Sequence, residues 1–179
     1  PQVNPGRLAL RTPGERLLRR PHRRSRRLAS LHSVTDPRLP RLAVPSAYRL
    51  ELAPSLSAHT FTGTVEIDVE ILKPTSRLVL NSIELTIHSA SVVINGTTHT
   101  AATTLDDETE RLTLTLEGEV AAGPATVQVA FDGILNDQLH GFYRSTYTAD
   151  DGAEHTIATT QFQSTDARRC FPCWDEPEY

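Results

Sequence analysis

Phe61-Thr62-Gly63-Thr64-Val65-Glu66-Ile67-Asp68-Val69-Glu70-Ile71 carries the clearest alternation in the chain. Val65, Ile67, Val69 and Ile71 fall on one side of an extended chain, and Thr64, Glu66, Asp68 and Glu70 on the other. A period of two marks a strand with one buried face and one wet face, which suits an antiparallel sheet.

The same pattern spreads in both directions. Upstream, from Leu42, Tyr48, Leu50 and Leu52 alternate with polar neighbours. Downstream, residues 77–81 read as a short strand and residues 84–94 as a less regular one with a bulge or bend. Asn95-Gly96 follows, a hairpin signal because both residue types accept positive φ. Asn95-Gly96-Thr97 is also a glycosylation sequon, but the turn reading holds in any compartment and is preferred. The partner strand runs to about Ala102. Leu112, Leu114 and Leu116 then alternate with Thr. Gly123-Pro124 turns the chain, and Val127, Val129 and Phe131 alternate again. Residues 141–147 and 154–162 form a further pair across the polar loop Asp150-Asp151-Gly152. His88 and His99 fall inside strands and read as cross-strand partners, not ligands. Many short strands between turns, with scarcely any helical periodicity, predict an all-β sandwich or open barrel.

The chain has 179 residues, enough for one domain with a substantial core. Its net charge of -4 hides a division. Residues 1–38 hold ten Arg and two acidic residues, a balance of +8; residues 39–179 hold eight basic and twenty acidic residues, a balance of -12. The basic piece has too few apolar residues to bury a face and is expected to be disordered. A solvated tail, or sequence wrongly joined to the gene, is the first reading of it. A mitochondrial import signal is the second. Nucleic-acid binding comes last, because no aromatic residue interleaves the arginines. The domain proper is therefore expected to span residues 39–179.

Two cysteines, both in Cys170-Phe171-Pro172-Cys173, exclude a disulfide framework and lean toward a reducing, cytoplasmic compartment. With no second pair and no His at ligand spacing, they read as structural thiols that bind no metal. No run of about 18 apolar residues is present, so no membrane segment is expected in the sequence given. The sequence starts at Pro1, which leaves an upstream segment open.

Functional information concentrates near residue 160. Residues 154–162 read as a strand, Thr165 or Asp166 as the cap of a short helix, and Arg168 and Arg169 as its last turn. Pro172 stops the helix, and Trp174-Asp175-Glu176-Pro177 reads as a rigid turn. Gln161 and Gln163 are two apart, so on an extended chain both point to one side. Their carbonyl oxygens can accept hydrogen bonds from an ammonium group, although exposed strand glutamines often do nothing special.

The stretch Thr160-Gln161-Phe162-Gln163-Ser164-Thr165-Asp166-Ala167-Arg168-Arg169-Cys170-Phe171-Pro172-Cys173-Trp174-Asp175-Glu176-Pro177 resembles the signature closing the N-terminal domain of the zinc aminopeptidases. These are the gluzincin enzymes that include aminopeptidase N and puromycin-sensitive aminopeptidase. Two further matches precede it in order: Gly133-Ile134-Leu135-Asn136-Asp137-Gln138-Leu139-His140-Gly141-Phe142-Tyr143-Arg144-Ser145, and Leu39-Pro40 through Pro45-Ser46-Ala47-Tyr48-Arg49-Leu50. The resemblance implies a saddle-shaped antiparallel β-sandwich, ending in a short helical turn, that packs against a catalytic domain. It implies that Gln163 binds the free α-amine of a peptide and that Gln161 lies beside the pocket for the first side chain. Many relatives carry Glu where Gln163 stands. A charge-assisted hydrogen bond is worth about 1.5–3 kcal/mol and a neutral one roughly 0.5–1.5 kcal/mol, so Gln weakens this anchor without abolishing it. Asp166, Arg168, Asp175 and Glu176 read as scaffold, with Cys170, Phe171, Pro172 and Trp174 packing beneath.

The family's H-E-x-x-H zinc motif and its Gly-Ala-Met-Glu-Asn strand do not occur in the 179 residues. No Ser-His-Asp grouping, phosphate loop or dinucleotide fingerprint replaces them. Two expectations follow. The first is the N-terminal domain of a zinc aminopeptidase, with the zinc and the hydrolysis supplied by a domain outside this sequence, and with a peptide N-terminus as ligand. The second is a freestanding β-sandwich that binds peptide or protein without catalysis.

Overall fold

A computed structural model describes residues 38–179. The readings made for residues 1–37 therefore lie outside the described residues. Among the described residues nine strands appear: β1 Ala43–Ser55, β2 Thr60–Ile71, β3 Thr75–Asn81, β4 Leu85–Ile94, β5 Thr97–Asp106, β6 Arg111–Val120, β7 Gly123–Ile134, β8 Gly141–Thr148 and β9 Glu154–Gln161. A 3-10 turn, Ala167–Arg169, follows them. The expected all-β, antiparallel architecture is the one observed.

Seven strands form one antiparallel sheet in the order β1-β2-β7-β4-β5-β6-β3, and β8 pairs with β9 as a separate ribbon. Strand β5 is where the sheet folds over. Its first residues, Thr97 to Thr100, pair with β4, and from Ala101 to Asp106 it pairs with β6. One strand thus serves two layers, as at the corners of sandwiches whose strands switch sheets.

The core lies between those layers. Phe61, Val65, Ile67, Val69 and Ile71 of β2 join Val127, Val129 and Phe131 of β7 on one side. Leu78 and Leu80 of β3 and Leu112, Leu114 and Leu116 of β6 face them from the other. Each such side chain contributes roughly 1.5–3 kcal/mol when fully buried. The wet face of β2 carries Glu66 and Asp68, as its alternation predicts.

Local features follow their residues. Asn95 and Gly96 both have positive φ, 48° and 76°, and join Ile94 to its cross-strand partner Thr97. The irregularity expected in residues 84–94 is a register shift between Ile87 and Ser89. Strand β5 runs four residues beyond the predicted Ala102, because pairing with β6 extends it. His99 stands opposite Val92, and His88 contacts Asp132.

Candidate functional site

The site is built where the β8–β9 ribbon meets the last residues of the domain. Phe142 is buried and Ala158 packs on the core, so one face of the ribbon is anchored. Opposite residues in an antiparallel pair share a face. The other face therefore carries the pairs Gly141–Gln161, Tyr143–Thr159, Ser145–Ile157 and Tyr147–His155. Tyr147 and His155 stack with ring centroids 5.3 Å apart.

Strand β9 ends at Gln161, one residue earlier than predicted. Phe162 turns inward and meets Phe171 edge-on at 6.1 Å. Gln163 then stands in a turn that the Asp166 N–H closes by donating to the Phe162 carbonyl at 3.0 Å. The Gln163–Ser164 peptide is cis. Alternation along a strand governs Gln161 but stops before Gln163, so the orientation of the second amide is set by this turn. Both glutamines are exposed, and neither side chain has a hydrogen-bond partner among the described residues.

The predicted cap takes a different form. Asp166 occupies the N-cap position, but its side chain makes no capping hydrogen bond. Arg169 Nε donates to Asp166 Oδ1 at 2.9 Å, and a guanidinium is a stronger partner for a carboxylate than a backbone amide. Arg168 and Arg169 do lie in the last turn, as expected.

The two arginines clamp this block to the sheet. Arg168, only 11% exposed, donates from Nε to Asp175 Oδ2 at 3.0 Å and from one terminal nitrogen to Glu110 Oε2 at 3.0 Å. Its other terminal nitrogen donates to the Asp175 carbonyl. Arg169 pairs with Glu84 and Asp166 and comes within 3.7 Å of Glu110 Oε1. Partial burial works against the Arg169 charge, but the bonds from Glu84 and Asp166 outweigh it and hold its pKa above the ordinary arginine value. Exposed ion pairs contribute roughly 0–1 kcal/mol, whereas breaking a buried one costs about 3–5 kcal/mol, so the Arg168 pairs matter most.

Backbone bonds complete the clasp. Asn81 and Cys173 exchange N–H to carbonyl bonds of 2.7 and 3.1 Å, and Asn81 Oδ1 accepts from the Asp175 N–H. Ile83 N–H donates to the Arg168 carbonyl. Trp174 N–H donates to the Tyr48 hydroxyl at 3.1 Å. Beneath lie buried Cys170, Pro172, Cys173 and Trp174, with Phe171 half-buried. The scaffold reading of Asp166, Arg168 and Asp175 agrees with these contacts. A groove of about 210 Å³, lined in part by Asn81, Thr165, Arg168 and Asp175, opens beside the block.

The residues present do not fit zinc. Among the described residues no three His, Cys, Asp or Glu side chains come together to hold a metal ion. Both cysteines are free and buried; burial pushes the Cys170 thiol up to about 12 and raises Cys173 as well. A neutral thiol is a poor ligand and a poor nucleophile.

Sequence reasoning missed a polar network on the wet face of β1, β2 and β7. Arg49 forks onto Asp68 with two bonds of 2.7 Å and reaches Glu66 at 3.0 Å. Thr126 donates to Asp68, and Gln128 to Glu66. Hydrogen bonds from Arg49 and Thr126 hold the Asp68 carboxyl down at about 2. The acidic alternation of β2 was the available signal, but alternation does not say which neighbour answers it.

An antiparallel β domain thus carries an ion-paired block after its last strand, with two exposed, unpartnered amides at its rim. The chain belongs to the Peptidase M1 N-terminal domain family, whose pattern it matches over residues 44–179. It is 45% identical over 147 residues to Aminopeptidase M1 of Arabidopsis thaliana, covering 79% of this chain and 17% of that protein. Puromycin-sensitive aminopeptidase of Caenorhabditis elegans is 38% identical over 149 residues, 82% of this chain and 16% of that one. Endoplasmic reticulum aminopeptidase 1 of Homo sapiens is 33% identical over 147 residues, 79% and 16% respectively. The chain thus spans about a sixth of the length of these relatives. Among the described residues no helix is long and apolar enough to cross a membrane.

Proposed function

We propose that this chain is the N-terminal domain of a zinc aminopeptidase that removes residues from peptide N-termini. Gln163 receives the α-ammonium of the substrate on its amide oxygen, and Gln161 borders the pocket for the first side chain. The metal and the hydrolytic groups belong to a following domain, since the described residues offer no donor set for zinc. The ordinary cytoplasmic compartment is part of this reading, as is a domain boundary near residue 39.

The observation that carries it is the pairing of freedom and fixity at one rim. Gln161 and Gln163 are exposed and unpartnered, while the turn that bears Gln163 is clamped through Asp166 and Arg169. A binding group that is itself unsatisfied, but held by a rigid frame, loses little freedom when ligand arrives.

The test joins the 179-residue chain to the part of the Arabidopsis relative that follows its matched segment. Aminoacyl substrate hydrolysis is then measured for wild type, Gln163→Ala and Gln163→Glu. Loss of an interaction made equally in ground and transition states raises KM and spares kcat. Gln163→Ala is expected to raise KM about tenfold, the equivalent of one hydrogen bond to a charged group, and Gln163→Glu to lower it. Unchanged KM in Gln163→Ala rejects the assignment.

A further inference from the structure

We infer that Arg169 is a positioning residue for the amine site, fixing the turn that carries Gln163, and that Gly141 is the contact that admits it. The inference rests on the assignment of Gln163 above.

Three separate parts of the chain meet on the Arg169 guanidinium. Asp166 is the last residue of the Gln163 turn, Glu84 precedes β4, and Glu110 precedes β6. Glu84 and Glu110 both sit at positive φ, 61° and 54°, which glutamate seldom adopts. A residue stays in such a conformation only where its surroundings over-determine it. Here each carboxylate is delivered to an arginine by that backbone. Glu110 serves both, through Oε2 to Arg168 and Oε1 to Arg169.

Gly141 explains how the arginine reaches this place. It is the cross-strand partner of Gln161, has φ of 66°, and a Cβ added there would lie 2.7 Å from Cβ of Arg169 and 3.6 Å from the Asp166 carbonyl oxygen. Any side chain at 141 pushes the 3-10 turn off the root of the ribbon. Gly141, paired with Gln161, thus meets Asp166 and Arg169, and Gln163 lies in the short stretch of chain between Gln161 and Asp166. Arginine suits the position because its planar fork can address several carboxylates at once, which the single ammonium of lysine cannot do.

The fused protein described above tests this with Arg169→Lys and Gly141→Ala. Both are expected to raise KM for amino-terminated substrates about tenfold while kcat stays within about twofold, since a recognition group held off its place loses about one hydrogen bond to a charged group, roughly 1.5 kcal/mol. Inhibition by a hydroxamate without an α-amine is expected to remain unchanged, which a general loss of structure does not allow. If Gln163→Ala raises KM but Arg169→Lys and Gly141→Ala leave it alone, the positioning role is refuted and the Gln163 assignment stands. If Gln163→Ala has no effect, that assignment fails first and takes this one with it. Equal weakening of amine and hydroxamate ligands, with a lower melting temperature, makes Arg169 merely structural. Should Arg169→Lys not fold, Glu84→Gln removes one exposed carboxylate and is expected to give the same signature at about threefold, a size suited to a single solvent-facing ion pair; no change there also refutes the role.

Discussion

Tyr48 shows how much a single residue can hold in this domain. Its hydroxyl accepts the Trp174 N–H from 126 positions away and its ring meets Phe171 edge-on at 6.0 Å. Replacing it with Phe keeps the ring and strands the amide, so Tyr48→Phe is expected to lower unfolding free energy by about 1 kcal/mol in urea titration. Burial of the hydroxyl raises its pKa from 10.0 to about 12, and burial raises the Cys170 thiol from 9.0 to about 12. The unfolded chain therefore loses these protons at lower pH than the native one. Between about pH 9 and pH 12 the native state holds more protons, so stability is full below that window and falls through it. Cys170→Ala is expected to flatten the lower part of that decline, read as unfolding free energy against pH. The alternation of Tyr48 with Leu50 was legible in sequence as a strand face. Its bond to Trp174 was not, because a period reports which side a residue faces and not what waits there. For the same reason Gln161 and Gln163 stood out by spacing, while the turn that orients Gln163 did not.

Strands were legible wherever one face is dry and the other wet, as in β2, β6 and β7. The Asn95-Gly96 hairpin was legible because its chemistry is local. The full length of β5 was not, since its second half exists to pair with β6, whose arrival depends on the whole sheet. The 3-10 turn and its N-cap residue Asp166 were placed correctly, but the capping hydrogen bond is not made, because Arg169 takes the carboxylate that would have made it. Two glycines in strands give a direct test of packing. A Cβ at Gly133 of β7 would lie 2.5 Å from the Phe61 ring, whereas one at Gly118 of β6 meets nothing within 4 Å. Gly133→Ala is expected to destabilise by about 1–3 kcal/mol through overpacking. Gly118→Ala should remain within about 0.5 kcal/mol of wild type, as an exposed substitution does. Chemical denaturation of the pair measures both, and equal effects contradict the close contact between β2 and β7.

At the scale of the molecule, the β8–β9 ribbon is the feature that a free domain explains least. A lone two-stranded ribbon is marginally stable in water and normally needs a surface to lie on. This one is anchored through Phe142 and Ala158, but Tyr147 and Ile157 on the opposite face are 51% and 44% exposed. Those side chains share their face with Gln161, the proposed edge of the substrate pocket. A freestanding binding module and a domain made to be covered differ in what that face does in isolation. Contiguous exposed apolar groups mark an interaction surface, and when unoccupied they promote association of like chains. The 179-residue chain is therefore expected to self-associate in sedimentation velocity. Joint replacement Tyr147→Lys and Ile157→Lys is expected to leave it monomeric at the same concentration, with its melting temperature preserved because neither side chain is in the core. Joining the chain to the remainder of the Arabidopsis relative should suppress the association without any substitution, by covering the ribbon. A wild-type chain that stays monomeric, and gains nothing in stability from the added domains, supports the freestanding module instead.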